Sequence, residues 1–255
     1  MGVLRSLALA FSCFSKIPVP QVEWNDANKR FMMACFPLVG VVSGALVALW
    51  CWVCAAVGFG VVLRSVGIVL VPVAVTGGIH LDGFSDVVDA LSSHADPERR
   101  RAILKDPHVG AFAVIGVAAY LLLYAGVASE MLLDWRIVAL LALVQVVVRC
   151  ESGFATVVFS GVGEGMLASF RMSASRGSLV AICVEYVAAA VAMVVVCPVP
   201  GAVAIAAGLM CLVALKPFAQ RNFGGMSGDV AGFFLQVCEL VMVACVVFVA
   251  KAVGL

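Results

Sequence analysis

Charged residues are scarce in this chain. Of its 255 residues 12% are Asp, Glu, Lys or Arg, about half the share in an average soluble domain. A water-soluble fold of this length still exposes about a quarter to a third of the surface of its unfolded form, and so little polar sequence cannot cover it. That excludes a soluble globular enzyme and a disordered chain. An excess of one sign is also missing: 16 Lys and Arg face 15 Asp and Glu, for a net charge of +1. No nucleic-acid partner is expected from that balance, because such a partner leaves a basic footprint. Residues Met1 to Pro20 lack the basic n-region, apolar core and A-x-A site of a cleaved signal peptide. The ten cysteines are scattered, mostly in apolar runs, where a thiol acts as a small hydrophobe, so this is no disulfide scaffold. Cys51-x-x-Cys54 has redox spacing but not the βαβ or paired-ligand context that such a motif needs.

What remains is apolar sequence, 64% of the chain. A spanning helix needs about 20 mainly apolar residues at about 1.5 Å rise each. On that basis the crossings are 33–60, 66–81, 111–133, 137–159, 178–197, 202–217 and 230–250. The second and sixth are short, so each is tilted, re-entrant or continuous with the polar segment beside it. Met1 to Pro20 reads as an interfacial or buried helix stopped by Pro18 and Pro20. With seven crossings and the N-terminus inside, twelve Lys and Arg fall in inner segments and only Arg64, Arg136 and Lys251 in outer ones. This bias sets the N-terminus in the cytoplasm. The expected fold is therefore an all-α polytopic membrane helix bundle, one membrane-embedded domain over 1–255. Its polar stretches (82–89, 99–105, the loop 160–176 and the Gly-rich 224–229) all face the cytoplasm.

The stretch Gly77-Gly78-Ile79-His80-Leu81-Asp82-Gly83-Phe84-Ser85-Asp86-Val87-Val88-Asp89 carries the chemistry. Asp82, Asp86 and Asp89 stand at i, i+4 and i+7, on one helix face. Like charges there repel and are costly to desolvate at a membrane boundary. A divalent cation reverses both penalties, and an all-carboxylate set favours a hard ion, Mg²⁺ or Mn²⁺ over Zn²⁺. The plainer alternative is a solvated helix end whose acids pair with Arg99, Arg100 and Arg101. His80 lies roughly opposite Asp82 and joins the cluster only where the backbone turns at Gly83; otherwise it is a polar histidine with its hydrogen bonds satisfied.

Pro97 and Asp106-Pro107 bound a short amphipathic helix at the interface. Its arginines either grip phosphates or hold lipid headgroups, and Lys105-Asp106 at its end is the more site-like pair. Arg149, Glu151 and Glu185 interrupt apolar runs and must face a polar interior. Arg149 reads as a phosphate or carboxylate partner. Gly224-Gly225-Met226-Ser227-Gly228-Asp229 offers an anion-binding nest at the next helix start, where Asp229 either caps the helix or supplies a fourth carboxylate. Together these residues suggest metal-dependent phosphoryl or pyrophosphate chemistry at the cytoplasmic face.

The same segments resemble the cobalamin synthase family, adenosylcobinamide-GDP ribazoletransferase, along the whole chain. Phe14-Ser15-Lys16-Ile17-Pro18-Val19-Pro20 is similar to the family's F-x-[TS]-[RK]-[IL]-P-V-P opening, and Phe36-Pro37-Leu38-Val39-Gly40 with Gly44 to its F-P-L-[VI]-G-x-x-x-G span. Gly77 to Leu91 resembles G-G-x-H-L-D-G-x-x-D-x-x-D-G-x, the most specific element; Leu104-Lys105-Asp106 with Gly110 resembles M-[KR]-D-[SP]-x-x-G. Gly224 to Asp229 resembles G-G-x-[TS]-G-D, before a helix carrying Glu239. Ala90, Pro107-His108 and Ala111 depart from the family pattern.

The resemblance implies a membrane transferase of cobalamin biosynthesis in a bacterial cytoplasmic membrane. It would join adenosylcobinamide-GDP and α-ribazole, or its 5′-phosphate, by Mg²⁺-dependent attack of the ribazole 5′-oxygen on the β-phosphorus, releasing GMP. Asp82, Asp86, Asp89 and Asp229 would be the metal ligands. His80, Lys105, Asp106 and Arg149 would be catalytic, with His80 a base or hydrogen-bond donor and Lys105 and Arg149 stabilising phosphate charge. Gly77, Gly78, Arg101, Gly224, Gly225, Ser227 and Gly228 would bind substrate. Expected partners besides the two substrates and the bilayer are a second copy of the chain or other corrinoid-pathway enzymes. Rival readings fit less well. A CDP-alcohol phosphotransferase needs D-G-x-x-A-R, but Phe84-Ser85-Asp86 follows Asp82-Gly83 here. A prenyltransferase needs two Asp-rich repeats, and a transporter needs matched halves with broken helices at the midplane.

Overall fold

A computed structural model of the chain describes residues 2–162 and 166–255. Residues 163–165, part of the expected 160–176 loop, and Met1 lie outside the described residues. The described chain is helical throughout, its one β-contact a bridge between Gly161 and Met226. It forms α1 (Gly2–Phe14), α2 (Asp26–Lys29), α3 (Met32–Val57), α4 (Val61–Thr76), α5 (Ile79–Ser92), α6 (Pro97–Ile103), α7 (Ala111–Ser129), α8 (Trp135–Val158), α9 (Met166–Ser173), α10 (Arg176–Val196), α11 (Pro198–Phe223) and α12 (Gly228–Ala252). Six of these, α3, α7, α8, α10, α11 and α12, are long and apolar enough to cross a membrane, and α4 with α5 passes only as a pair bent by 99°. The all-α polytopic membrane bundle expected from composition is what the chain folds into.

The crossings differ from their expected limits for local reasons. The first ends at Val57 rather than 60, because Gly58 takes φ +79° and closes the helix on Cys54. The short sixth, expected at 202–217, is the middle of α11, which starts with Pro198 at its first turn and runs on through polar sequence to Phe223. The short second crossing stops at Thr76 and turns. Consecutive positive φ angles at Gly77 (+65°) and Gly78 (+82°) make the bend, a conformation that residues with a Cβ rarely adopt. The helix expected up to Asp106 stops at Ile103, with Asp96 as its N-cap. The 160–176 loop contains α9.

α3 and α8 form the closest long pair. A Cβ on Gly40 would lie 2.4 Å from the Gln145 carbonyl oxygen, and one on Gly44 2.4 Å from that of Ala142. Small residues four apart let two backbones meet in a medium that offers no hydrophobic drive between helices. Contacts fix the direction of α3, α4, α7, α8, α11 and α12. Met33 and Phe36 near the start of α3, Thr156 near the end of α8, Phe223 at the end of α11 and Asp229 at the start of α12 share one cavity, and Gly110 before α7 meets Asp89. At the opposite end Arg64 reaches the Met131 carbonyl, and Lys251 pairs with Glu130. The polar segments thus gather at one end of the bundle.

Candidate active site

That end holds a cavity of about 700 Å³. The starts of α5 and α12, together with α6 and the turn after it, supply its charged side. Gly83 on α5 and Gly232 on α12 let these helices approach: a Cβ on Gly83 would sit 2.9 Å from the Asp229 Cα and carbonyl oxygen, and one on Gly232 3.0 Å from the His80 oxygen. The close approach sets Asp82 and Asp229 on one wall. Half-buried Asp86 sits in the field of Asp82, Asp229 and Asp89, and the Asp89 carboxylate fills the space where a Cβ on Gly110 would stand, 2.0 Å away.

α6 brings the cations. Arg101 donates to the Phe223 carbonyl at 3.1 Å, and its guanidinium lies where a Cβ on Gly224 would be, at 2.9 Å. Arg100 donates to Asn222. These contacts tie α6 to the end of α11 and leave the aspartates unpaired; among the described residues none forms an ion pair with Arg99, Arg100 or Arg101. Exposed Lys105 stands at the cavity edge with Glu98. The turn after α11 folds back on 160–162, where Met226 and Val162 donate to the Ser160 and Met226 carbonyls at 3.0 Å. Ser227 then caps α12 by accepting from Val230 at 3.2 Å. Of the two roles left open for Asp229, the cap belongs to Ser227, and Asp229 is free to face the cavity.

The other side is apolar. Phe14, Phe36, His80 and Phe170 line it, with Phe14 and Phe36 centroids 4.4 Å apart and Phe36 and His80 5.7 Å apart. His80 is buried, and its Nδ1 has no hydrogen-bond partner among the described residues. Among the described residues it is therefore not the satisfied polar histidine of the plainer reading; a buried donor or acceptor left unpaired costs about 1–3 kcal/mol.

The chain matches the profile of the family described as cobalamin-5-phosphate synthase over residues 6–247. The chain belongs to the cobalamin-5-phosphate synthase family. An adenosylcobinamide-GDP ribazoletransferase of Lachnoclostridium phytofermentans is 38% identical, covering 99% of this chain and 97% of its own. One of Clostridium botulinum (strain Alaska E43) is 31% identical over 94% and 96%, and one of Geobacillus thermodenitrificans 33% identical over 92% of each. No solved structure matches the chain.

Within this synthase fold the expected site residues separate into groups. His80, Asp82, Arg101, Lys105, Gly225, Ser227, Gly228 and Asp229 line the cavity. Asp86 and Asp89 lie on α5 beside it, and Gly77, Gly78 and Gly224 shape its turns. Lys16 explains why Gly77 is bare as well as bent, since its side chain passes 2.2 Å from where a Cβ would stand. Asp106 is turned elsewhere: exposed, it accepts from the His108 amide at 3.0 Å and meets His108 Nδ1 at 2.7 Å. Those hydrogen bonds hold its carboxyl below the ordinary carboxylate value. Arg149 is wholly buried behind the wall, donating to the Gln145 carbonyl at 2.7 Å and to Gln145 Oε1 at 3.0 Å. It lies outside the cavity lining, so direct phosphate contact from it is not part of this geometry.

Among the described residues no three His, Cys, Asp or Glu side chains converge as a metal cage. The donor set at the wall is carboxylate oxygen alone, with the His80 ring on the far side. That suits an ion such as Mg²⁺, which keeps waters and takes one or two carboxylates plus substrate phosphates. Ser152 and Thr156 on α8 and the rings of Phe14, Phe36 and Phe170 also line the cavity. Sequence reading missed them because they come from four helices and none carries charge. The motif segments around Phe14 and Phe36 were the only signal.

Proposed function

We propose that this chain is a membrane transferase that joins adenosylcobinamide-GDP to α-ribazole or α-ribazole 5′-phosphate and releases GMP. The observation that carries the reading is one cavity lined by Asp82 and Asp229, by Arg101 and Lys105, and by the 225–228 turn. Acids and cations brought together around a backbone nest suit a diphosphate, and the family and its named relatives supply the substrates.

The attacking atom differs from the 5′-oxygen that the resemblance suggested. A product described as cobalamin-5-phosphate carries phosphate on that oxygen, which then has no free hydroxyl to attack with. We assign the attack to a secondary ribose hydroxyl. Its oxygen forms a bond to the β-phosphorus, and the bond from that phosphorus to the bridging oxygen breaks. GMP leaves with the bridging oxygen, and the hydroxyl proton passes to water at the open mouth. Lys105 and Arg101 hold the phosphate charge as it moves to GMP, and the 225–228 turn orients the diphosphate. Arg149 serves as a positioning residue through the α3–α8 wall, and Asp106 orders the 105–110 turn that carries Lys105.

Mg²⁺ belongs to this proposal, held by Asp82 and Asp229 with Asp86 and Asp89 beside them. When bound it neutralises the diphosphate and stabilises the leaving phosphate. The membrane is proposed to be the cytoplasmic membrane of a bacterium with the cavity facing inward, supported by the gathering of Lys and Arg at the cavity end of the bundle. The test is GMP release by purified protein with both substrates, in Mg²⁺ and in excess chelator, beside Asp82→Asn and Asp86→Asn. Release with cobamide formation, lost in chelator and in both variants, is expected. No turnover from folded protein would sink the transferase reading. Turnover that survives chelation and both variants would sink the metal alone.

A further inference from the structure

The cavity is divided by chemistry. Its charged side chains come from α5, α6, the turn after α6 and α12; those contributed by α1, α3, α8 and α9 among the described residues carry no charge. On that second side stand three phenylalanines and His80, with Phe14 and His80 rings 6.4 Å apart and 17° from parallel, and Phe14 and Phe170 5.9 Å apart. The polar groups there are few: the open edge of the His80 ring and the hydroxyls of Ser152 and Thr156. Ser152 lies six residues back from the end of α8, about 9 Å at the helical rise, so this half reaches below the charged edge.

Resting on the proposed reaction, we infer that the aromatic half receives the base of the acceptor nucleoside, a benzimidazole. The reaction brings three bulky groups, and only one matches. A corrin macrocycle carries a rim of amide side chains, and this half offers few groups to bond them. Guanine carries donors and acceptors around its rings, and most would be buried here without partners. A glycosylated benzimidazole is a flat apolar ring with one free ring nitrogen. It stacks on aromatic side chains, and its nitrogen accepts from His80 Nε2–H, Nδ1 being closed off inside the protein. With the base so placed, the ribose lies at the charged edge and presents a secondary hydroxyl towards Asp82 and Asp229. His80 is then a specificity residue that touches substrate.

Binding of α-ribazole can be read without turnover. Trp24 lies 5.9 Å from Phe170, so its emission reports on this half. Full-length protein in nanodiscs with excess chelator is titrated with α-ribazole alone. A saturable change in emission is expected, lost in Trp24→Phe and not reversed by guanosine. In steady state, His80→Phe, which keeps a ring and removes the donor, and Phe14→Leu each raise the KM for α-ribazole at least about tenfold. The KM for adenosylcobinamide-GDP stays within about twofold. Displacement by guanosine, or a KM effect confined to adenosylcobinamide-GDP, would overturn the inference. So would unaltered emission together with an unaltered KM for α-ribazole. A wild-type protein that binds α-ribazole but releases no GMP would instead overturn the transferase reading and leave this one standing.

Discussion

Gly83→Ala tests whether the α5–α12 seam sets the acids of the cavity. The new Cβ would lie 2.9 Å from the Asp229 Cα and 2.9 Å from its carbonyl oxygen, where ordinary contact begins at 3.4 Å. Both atoms are backbone, so the helices must part by about 0.5 Å, the difference of those distances. Overpacking of this kind costs about 1–3 kcal/mol, and replacing a helical Gly by Ala returns about 1 kcal/mol. The net loss of stability is therefore small, about 0–2 kcal/mol. Activity is more sensitive. A misplacement of about 1 Å in reacting groups can cost on the order of a hundredfold, so half of that predicts a fall in kcat/KM of about tenfold, with more Mg²⁺ needed for half-maximal rate. The assay is GMP release across a Mg²⁺ titration, with thermal unfolding in detergent alongside. Gly126→Ala is the control, the same change on α7 with no atom within 4 Å. Folded Gly83→Ala protein that keeps kcat/KM within about twofold, or an equal loss in Gly126→Ala, would refute the seam as the device that places Asp82 and Asp229.

Three further outcomes follow from other contacts. Gly44→Ala, with its Cβ 2.4 Å from the Ala142 oxygen, lowers the denaturation midpoint by an amount corresponding to about 1–3 kcal/mol, because α3 and α8 cannot close. Arg149→Lys leaves the KM for adenosylcobinamide-GDP within about twofold while lowering stability by about 1–3 kcal/mol, since the guanidinium bonds Gln145 and not the cavity; a KM rise of tenfold would put a phosphate on Arg149 after all. Asp106 has its carboxyl lowered by the His108 hydrogen bonds. Its ordering of the 106–108 turn is therefore present above the ordinary carboxylate value, about 3.9, and fades as pH falls through the lowered one. Amide exchange at His108 checks this: protection is steady from pH 5 to 7 in wild type, roughly the range above both values, and absent in Asp106→Ala.

The sequence alone determined the solvent, the class of fold and the acids. With 12% charged residues the backbone must satisfy itself inside lipid, and helices do that within one segment. The i, i+4, i+7 aspartates were readable because spacing along one helix is a local fact, whereas the bend at Gly77-Gly78 falls inside the crossing expected at 66–81. Only the tertiary structure decided which of these residues meet. Asp229 reaches Asp82 from a helix 147 positions later (229 against 82) because Gly83 and Gly232 remove the atoms that would hold two helices apart. Arg149 reads from sequence as a buried charge in need of an anion, yet the fold turns it onto Gln145. Asp106 sits in a matching motif, yet its nearest strong donors are two residues away in its own turn. The ring-lined half of the cavity had no spacing to reveal it: Phe14, Phe36, His80 and Phe170 come from four helices, and apolar rings show their purpose only once packing leaves a space between them.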